Sequence, residues 1–147
     1  MAFDSTGQLW VAEMGPKGGD ELNLIAKGEN YGYPLVSNGD HYNGLPIPDH
    51  ATRPEFTAPV LDWTPVISPS SLMFYTGDVF PHWKHKAILG GLSSKAIIVV
   101  DTQVQPVREL QRIEMGQRIR GVLQAQDGNI WVIEDGQSAR LLKLVAP

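Results

Sequence analysis

At 147 residues, 42% hydrophobic, 19% charged and with a formal net charge of −4, the chain has the size and composition of one globular domain. The acidic balance gives no reason to expect nucleic acid or an anionic membrane as partner, and no stretch approaches the roughly 18 apolar residues of a membrane span. The absence of cysteine excludes disulfides, thiolate metal sites and Cys nucleophiles, while 15 Gly and 11 Pro suit many short strands joined by turns.

The opening Met1-Ala2-Phe3-Asp4-Ser5-Thr6 carries neither a basic n-region nor an apolar h-region, so no signal peptide is expected in this chain. Residues 8–13 and 21–26 read as paired strands joined by the loop Gly15-Pro16-Lys17-Gly18-Gly19-Asp20. From Gly28 to Pro59 the composition shifts to Gly, Pro, Asn, Tyr, His and Asp, which predicts a long inserted loop at about 28–60 rather than a sheet. Its aromatic content (Tyr31, Tyr33, Tyr42, Phe56) favours an ordered excursion. Leu72–Tyr75 reads as a short strand, and residues 87–92 and 96–101 as a second strand pair. Arg108–Met115 and Ile119–Leu123 follow as further strands.

One pattern occurs twice, 121 residues apart: Gly7-Gln8-Leu9-Trp10-Val11-Ala12-Glu13-Met14-Gly15 returns as Gly128-Asn129-Ile130-Trp131-Val132-Ile133-Glu134-Asp135-Gly136. An Asp precedes each copy (Asp4, Asp127), an apolar run follows each, and both tryptophans are expected in the core. Propeller blades of the WD type repeat every 40–45 residues or so, and three such steps cover the interval. The expected fold is therefore all-β, a partial β-propeller of about three blades built from four-stranded antiparallel sheets. Residues 1–147 form a single half-propeller domain in this reading. Three blades do not close a ring, and each end blade would expose an apolar face. The expected partner is thus either the missing blades of a longer protein or a second copy of the chain, as a homodimer.

Three places carry possible chemistry. In Arg118-Ile119-Arg120 the side chains at i and i+2 share one face of a strand, so two guanidiniums lie side by side. Like charges so held are unfavourable without an anion between them, which points to a carboxylate or phosphate ligand; an exposed edge strand with two solvated arginines is the plainer alternative. The Gly15–Glu21 loop can offer backbone carbonyls to a hard cation such as calcium, although a simple turn would look the same. Trp63 suits either a stacking platform or the core. His41, His50, His82 and His85 lie in loop-like contexts and receive no role, and no catalytic residue is assigned.

Several stretches together resemble the soluble PQQ-dependent sugar dehydrogenases, the glucose/sorbosone dehydrogenase family. They are Glu13-Met14-Gly15-Pro16-Lys17-Gly18-Gly19-Asp20-Glu21, Gly28-Glu29-Asn30-Tyr31-Gly32-Tyr33-Pro34, Trp63-Thr64-Pro65, Phe74-Tyr75-Thr76-Gly77-Asp78 and Gln117-Arg118-Ile119-Arg120-Gly121-Val122. The resemblance implies a partial six-bladed β-propeller, the carboxy-terminal portion of an enzyme that oxidises aldoses at the anomeric carbon to lactones. It implies pyrroloquinoline quinone (PQQ) and calcium as cofactors. The carbonyls of Gly15 and Pro16 would bind the calcium, Arg118 and Arg120 would pair with the cofactor's carboxylates, and Trp63 would wall the sugar. Ser93 stands where better-known members have a cofactor-contacting lysine. The family's general-base histidine belongs to the amino-terminal half, outside this chain, so the chain alone is expected to be inactive. Full-length members are periplasmic or secreted. The alternative is a non-enzymatic half-propeller that self-associates into a closed ring as a binding or structural module.

Overall fold

Among residues 1–146, which the computed structural model describes, eleven β-strands form three antiparallel sheets. Pro147, the last residue of the expected domain span, lies outside the described residues. The first sheet holds β1 (Ala2–Phe3), β2 (Leu9–Glu13), β3 (Asp20–Leu24) and β4 (Leu61–Trp63). The second holds β5 (Pro69–Phe74), β6 (Ala87–Gly91), β7 (Ala96–Asp101) and β8 (Arg108–Glu114). The third holds β9 (Arg118–Gln124), β10 (Ile130–Asp135) and β11 (Leu141–Leu144). Within each sheet every strand pairs with the next in sequence, and β1 packs on β5 as β5 packs on β9. These are three successive blades of a β-propeller, with their first strands side by side at the centre. No helix among the described residues is long and apolar enough to cross a membrane.

The alternation of strand side chains explains how the blades stack. In β6 and β7, Leu89, Ile98 and Val100 point to the first blade, where they join Trp10, Leu22, Trp63, Ile67 and Val107. Their neighbours Ile88 and Ile97 point the other way and meet Tyr75, Ile119, Val122, Ile130 and Val132 of the second interface. Every residue from Ala96 to Asp101 is buried, so a strand covered on both faces reads as an apolar run from Ala96 to Val100. Each such Ile or Leu contributes about 1.5–3 kcal/mol relative to exposure. Polar groups lock the second interface: the Ser70 hydroxyl donates to the Ile119 carbonyl at 2.6 Å, and the Tyr75 hydroxyl to the Gly128 carbonyl at 2.7 Å.

Two sequence expectations about the blades change. Among the described residues the third blade has three strands rather than four. Trp131, expected in the core, is half-buried on the face turned away from the second blade, with the Lys143 ammonium 5.8 Å from its ring centre; Trp10 is the buried copy. The two aspartates are not equivalent either. Asp4 accepts hydrogen bonds from the Thr6 and Gln8 backbone and from the Trp10 indole at 2.9 Å, whereas Asp127 caps the Asn129 backbone and pairs with Lys143.

The long segment between β3 and β4 is ordered and holds a short 3-10 turn at His50–Thr52; a second such turn, Pro81–Trp83, lies between β5 and β6. The long segment's order comes less from aromatics than expected, because Tyr33 and Tyr42 are exposed. Val36, Ile47 and His50 are buried instead, and the Tyr31 hydroxyl donates to the Leu24 carbonyl at 2.7 Å.

Desolvation alone would raise the Asp4 carboxyl, but its hydrogen bonds from Thr6, Trp10 and Gln8 override that and bring it from 3.8 to about 2. A carboxyl depressed in the folded state adds stability above its unfolded value that is lost as pH falls through its folded value. Denaturant midpoints followed by circular dichroism are therefore expected to drop between about pH 4 and pH 2, and Asp4→Asn is expected to flatten that part of the profile.

Candidate functional site

In an antiparallel meander, connections that leave even-numbered strands all emerge at one end. The β2–β3, β4–β5, β6–β7 and β8–β9 connections therefore share a rim. That rim collects Gly15 and Pro16, the Thr64–Ser68 segment, Ser93 and the start of β9 at Arg118. The residues singled out in the sequence come from four connections and meet at one end of the blades.

Asp20 holds this rim together. Its side chain, in a residue only 1% exposed, accepts the Gly15 N–H at 2.8 Å on one oxygen and the Ser68 N–H at 2.6 Å on the other. Burial pushes its carboxyl above the ordinary value, against the backbone donors from Ser68 and Gly15. Ser68 takes a left-handed backbone (φ 52°), a conformation uncommon for a residue with a β-carbon. Its hydroxyl donates to Ser93 Oγ at 2.9 Å, and Ser93 Oγ donates to the Val66 carbonyl at 3.0 Å. The Gly19 N–H completes the tie by donating to Thr64 Oγ1 at 2.9 Å. Three connections are thus cross-linked by short polar contacts.

Gly15 has no room for a side chain, since a β-carbon there would overlap the carbonyl oxygens of Gly18 and Gly19. Among the described residues neither the Gly15 nor the Pro16 carbonyl accepts a backbone hydrogen bond, so both oxygens stay available. No three His, Cys, Asp or Glu side chains among those residues converge on a possible metal position. A cation at this loop would be held by carbonyl oxygens and by oxygens of the ligand it accompanies, which is hard-cation chemistry. The loop fits calcium in that sense.

Arg118 and Arg120 do share a face, with Ile119 fully buried behind them. The anion that their spacing demanded is nevertheless internal. Asp135 Oδ2 accepts from Arg118 Nε at 2.8 Å and from Arg120 Nη2 at 3.0 Å. The hydrogen bond from Arg118, joined by the Arg120 charge, holds the Asp135 carboxyl below the usual carboxylate range. The arginine side chains remain 47% and 51% exposed, so most of their N–H groups still face outward. The pair fits a carboxylate-bearing cofactor.

Trp63 has a different place. It is 6% exposed within the interface between the first two blades, and its indole N–H donates to Glu109 Oε2 at 2.9 Å. That packs Trp63 into the core between the first two blades. Ser93 is exposed on the β6–β7 connection, spent on Ser68 and Val66 rather than offering a charge.

Sequence reasoning missed Asp20 as the tie, Asp135 as the counter-ion, and His50. Gly121 inside an apolar strand was the available signal for the bulge that brings Asp135 to the arginines; nothing comparable pointed to His50. It is buried, with Nδ1 3.2 Å from Asn38 Oδ1 and Nε2 3.1 Å from the Tyr31 carbonyl. It lies 3.9 Å from Glu21, whose carboxyl is raised by burial. A cleft of about 300 Å³ lies here, between Glu13, Gly15, Glu21 and Tyr31. A groove of about 700 Å³ lies at the opposite end against Phe80, Trp83 and Leu110, with His82 in its lining.

Known proteins share this chain's fold and much of its sequence. A sequence model of the family described as glucose/sorbosone dehydrogenase matches residues 1–143. The chain is similar to the aldose sugar dehydrogenase YliI of Escherichia coli, 41% identical over 142 residues that make up 92% of this chain and 38% of that protein. Its fold superposes on a crystal structure of a glucose dehydrogenase with a TM-score of 0.87 at 37% identity, covering 97% of this chain and 42% of that one. A PQQ-bound aldose sugar dehydrogenase from Streptomyces coelicolor shares the fold at TM-score 0.69 and 24% identity, over 98% of this chain and 41% of that one. The chain spans less than two fifths of the length of the curated relatives it matches.

Removing the Asp20 carboxylate leaves two buried N–H groups without acceptors, at about 1–3 kcal/mol each. Asp20→Ala is expected to lower unfolding free energy by roughly 2–4 kcal/mol in urea titrations. Gly15→Ala, which forces the β2–β3 loop apart, is expected to destabilise the chain measurably in the same assay; a melting profile equal to that of the parent would show that the loop tolerates a β-carbon.

Proposed function

The chain belongs to the glucose/sorbosone dehydrogenase family, and we propose that it forms the carboxy-terminal part of a PQQ- and calcium-dependent dehydrogenase that oxidises aldoses at the anomeric carbon to lactones. The observation that carries this reading is the shared rim: two outward-facing guanidiniums, Arg118 and Arg120, and a glycine loop with free Gly15 and Pro16 carbonyls open at the same end of the blades.

PQQ, when bound, supplies the two-electron acceptor for a hydride taken from the sugar. This chain's residues supply binding and charge. Arg118 and Arg120 would meet cofactor carboxylates with charge-assisted hydrogen bonds. Gly15 and Pro16 would hold calcium through their carbonyl oxygens, and Asp20 keeps the Gly15 backbone and the Ser68–Ser93 pair in register beside them. Ser93 offers a hydroxyl without a positive charge, so cofactor binding falls more heavily on the two arginines. No residue here is placed as a general base, and turnover would need the remaining blades.

Those blades have a surface to meet. The third blade turns Leu123, Ile133 and Leu141 to solvent, an apolar face that a neighbouring blade would cover. The same face favours the second reading, in which two copies of the chain close a ring as a binding or structural module. Sedimentation equilibrium separates the two, because a stable particle of twice 16.2 kDa supports the closed ring, and a monomer or an aggregate supports the part-enzyme.

Titration with PQQ in the presence of calcium, followed by absorbance, tests the site. The double variant Arg118→Ala/Arg120→Ala is expected to weaken binding at least about tenfold, from the loss of two charge-assisted contacts. Unchanged affinity would remove the arginine pair from the cofactor site.

A further inference from the structure

We propose that Asp135 is a positioning residue, a built-in counter-ion that sets Arg118 and Arg120 into a ready clamp for an anionic ligand. The inference rests on the reading of the arginine pair as the seat of cofactor carboxylates.

Ile119 and Val122 are three residues apart, yet both are buried against the second blade, which a regular strand cannot achieve. The register between β9 and β10 resolves this. Gly121 pairs with Ile133, Ile119 with Glu134 and Arg118 with Asp135, leaving Arg120 as the extra residue of a β-bulge. Gly121 suits that bulge because a β-carbon would press on Ile133 Cγ2. In a regular ladder Arg120 would oppose Glu134, Asp135 would oppose Ile119, and the arginines would turn toward the second blade. The bulge sends Ile119 inward and places Asp135 directly across from Arg118, on the same face.

Two adjacent carboxylates consequently do different work. Glu134 falls on the inner face, where Arg140 closes a two-pronged pair on it at 2.8 and 2.6 Å. Asp135 falls on the outer face and spends a single oxygen, Oδ2, on both Arg118 and Arg120. It takes the Nε–H of Arg118, which leaves that residue's terminal Nη1/Nη2 edge free for a second carboxylate. Of Arg120 it takes one terminal N–H. Asp135 thus offsets the repulsion between two neighbouring cations without occupying the edge that a ligand would use. A clamp ordered in advance loses less side-chain freedom when the ligand arrives.

The closing experiment has a ligand-free arm and a ligand arm. In the unliganded chain, ¹⁵N NMR of arginine Nε–H groups is expected to show Arg118 slowly exchanging near neutral pH, and Asp135→Asn is expected to abolish that protection. An Arg118 Nε–H that exchanges as fast as free arginine in the parent chain would overturn the proposal, with no variant needed. In the ligand arm, Asp135→Asn is expected to weaken PQQ binding about tenfold, the scale of one charge-assisted contact. Equal or tighter binding would overturn the proposal by showing that Asp135 competes with the ligand. If Arg118→Ala/Arg120→Ala also leaves PQQ affinity unchanged, the failure lies with the cofactor reading; if that double variant weakens PQQ binding while Asp135→Asn does not, it lies with Asp135 as the positioning residue.

Discussion

The constraint on which the rest depends is that the middle blade buries both faces. A two-residue period delivers Leu89, Ile98 and Val100 to one neighbour and Ile88 and Ile97 to the other, so neither interface can form without orienting the second blade for both. Once that sheet is fixed, the direction of every strand fixes which connections share a rim. The site is assembled as a consequence of core packing: no long-range contact had to bring Gly15 and Arg118 to the same end of the molecule, because strand parity did.

Core packing is not enough to set the rim's fine geometry, and there a few polar contacts act. Asp20 is buried at a charge cost that its two backbone donors offset only in part, which is why its carboxyl lies above the ordinary value. Evolution of a hydrophobic residue at that point would leave Gly15 and Ser68 without acceptors, so the carboxylate is better understood as a spacer between two loops than as a metal ligand. Both of its oxygens are already in use.

Much of the fold was legible in the sequence because a repeated Trp-Val-x-Glu pattern with glycine breaks is a local signal. Strands β2, β3, β6, β7 and β10 follow from apolar runs and turn residues. Trp131 shows the limit of that logic. It repeats Trp10 in sequence, but the second copy lies on the outer face of an end blade, and which face is covered depends on neighbours rather than on the motif. Trp63 illustrates the converse. A lone tryptophan beside Pro65 reads equally as platform or core, and its packing between two blades, with the indole N–H on Glu109 46 residues away, is not a local signal. At the arginine strand the period-2 argument gave the right face. Its demand for an outside anion was incomplete, because the bulge at Arg120–Gly121 shifts the register and brings Asp135 across.

That register shift also joins two properties that are usually separate. The face carrying Arg118, Arg120 and Asp135 is the same face that exposes Leu123, Ile133 and Leu141. Where a covering surface also reached the arginine edge, a lower local dielectric would strengthen its attraction for a carboxylate. Covering an arginine pair with no counter-ion would instead be heavily unfavourable. Asp135 makes the two compatible: it lets the charged rim sit beside a buried blade interface while leaving a net positive edge for a ligand. The arginine strand thus carries its charged rim and its exposed apolar residues on one sheet face, and the bulge at Arg120–Gly121 is what puts both there.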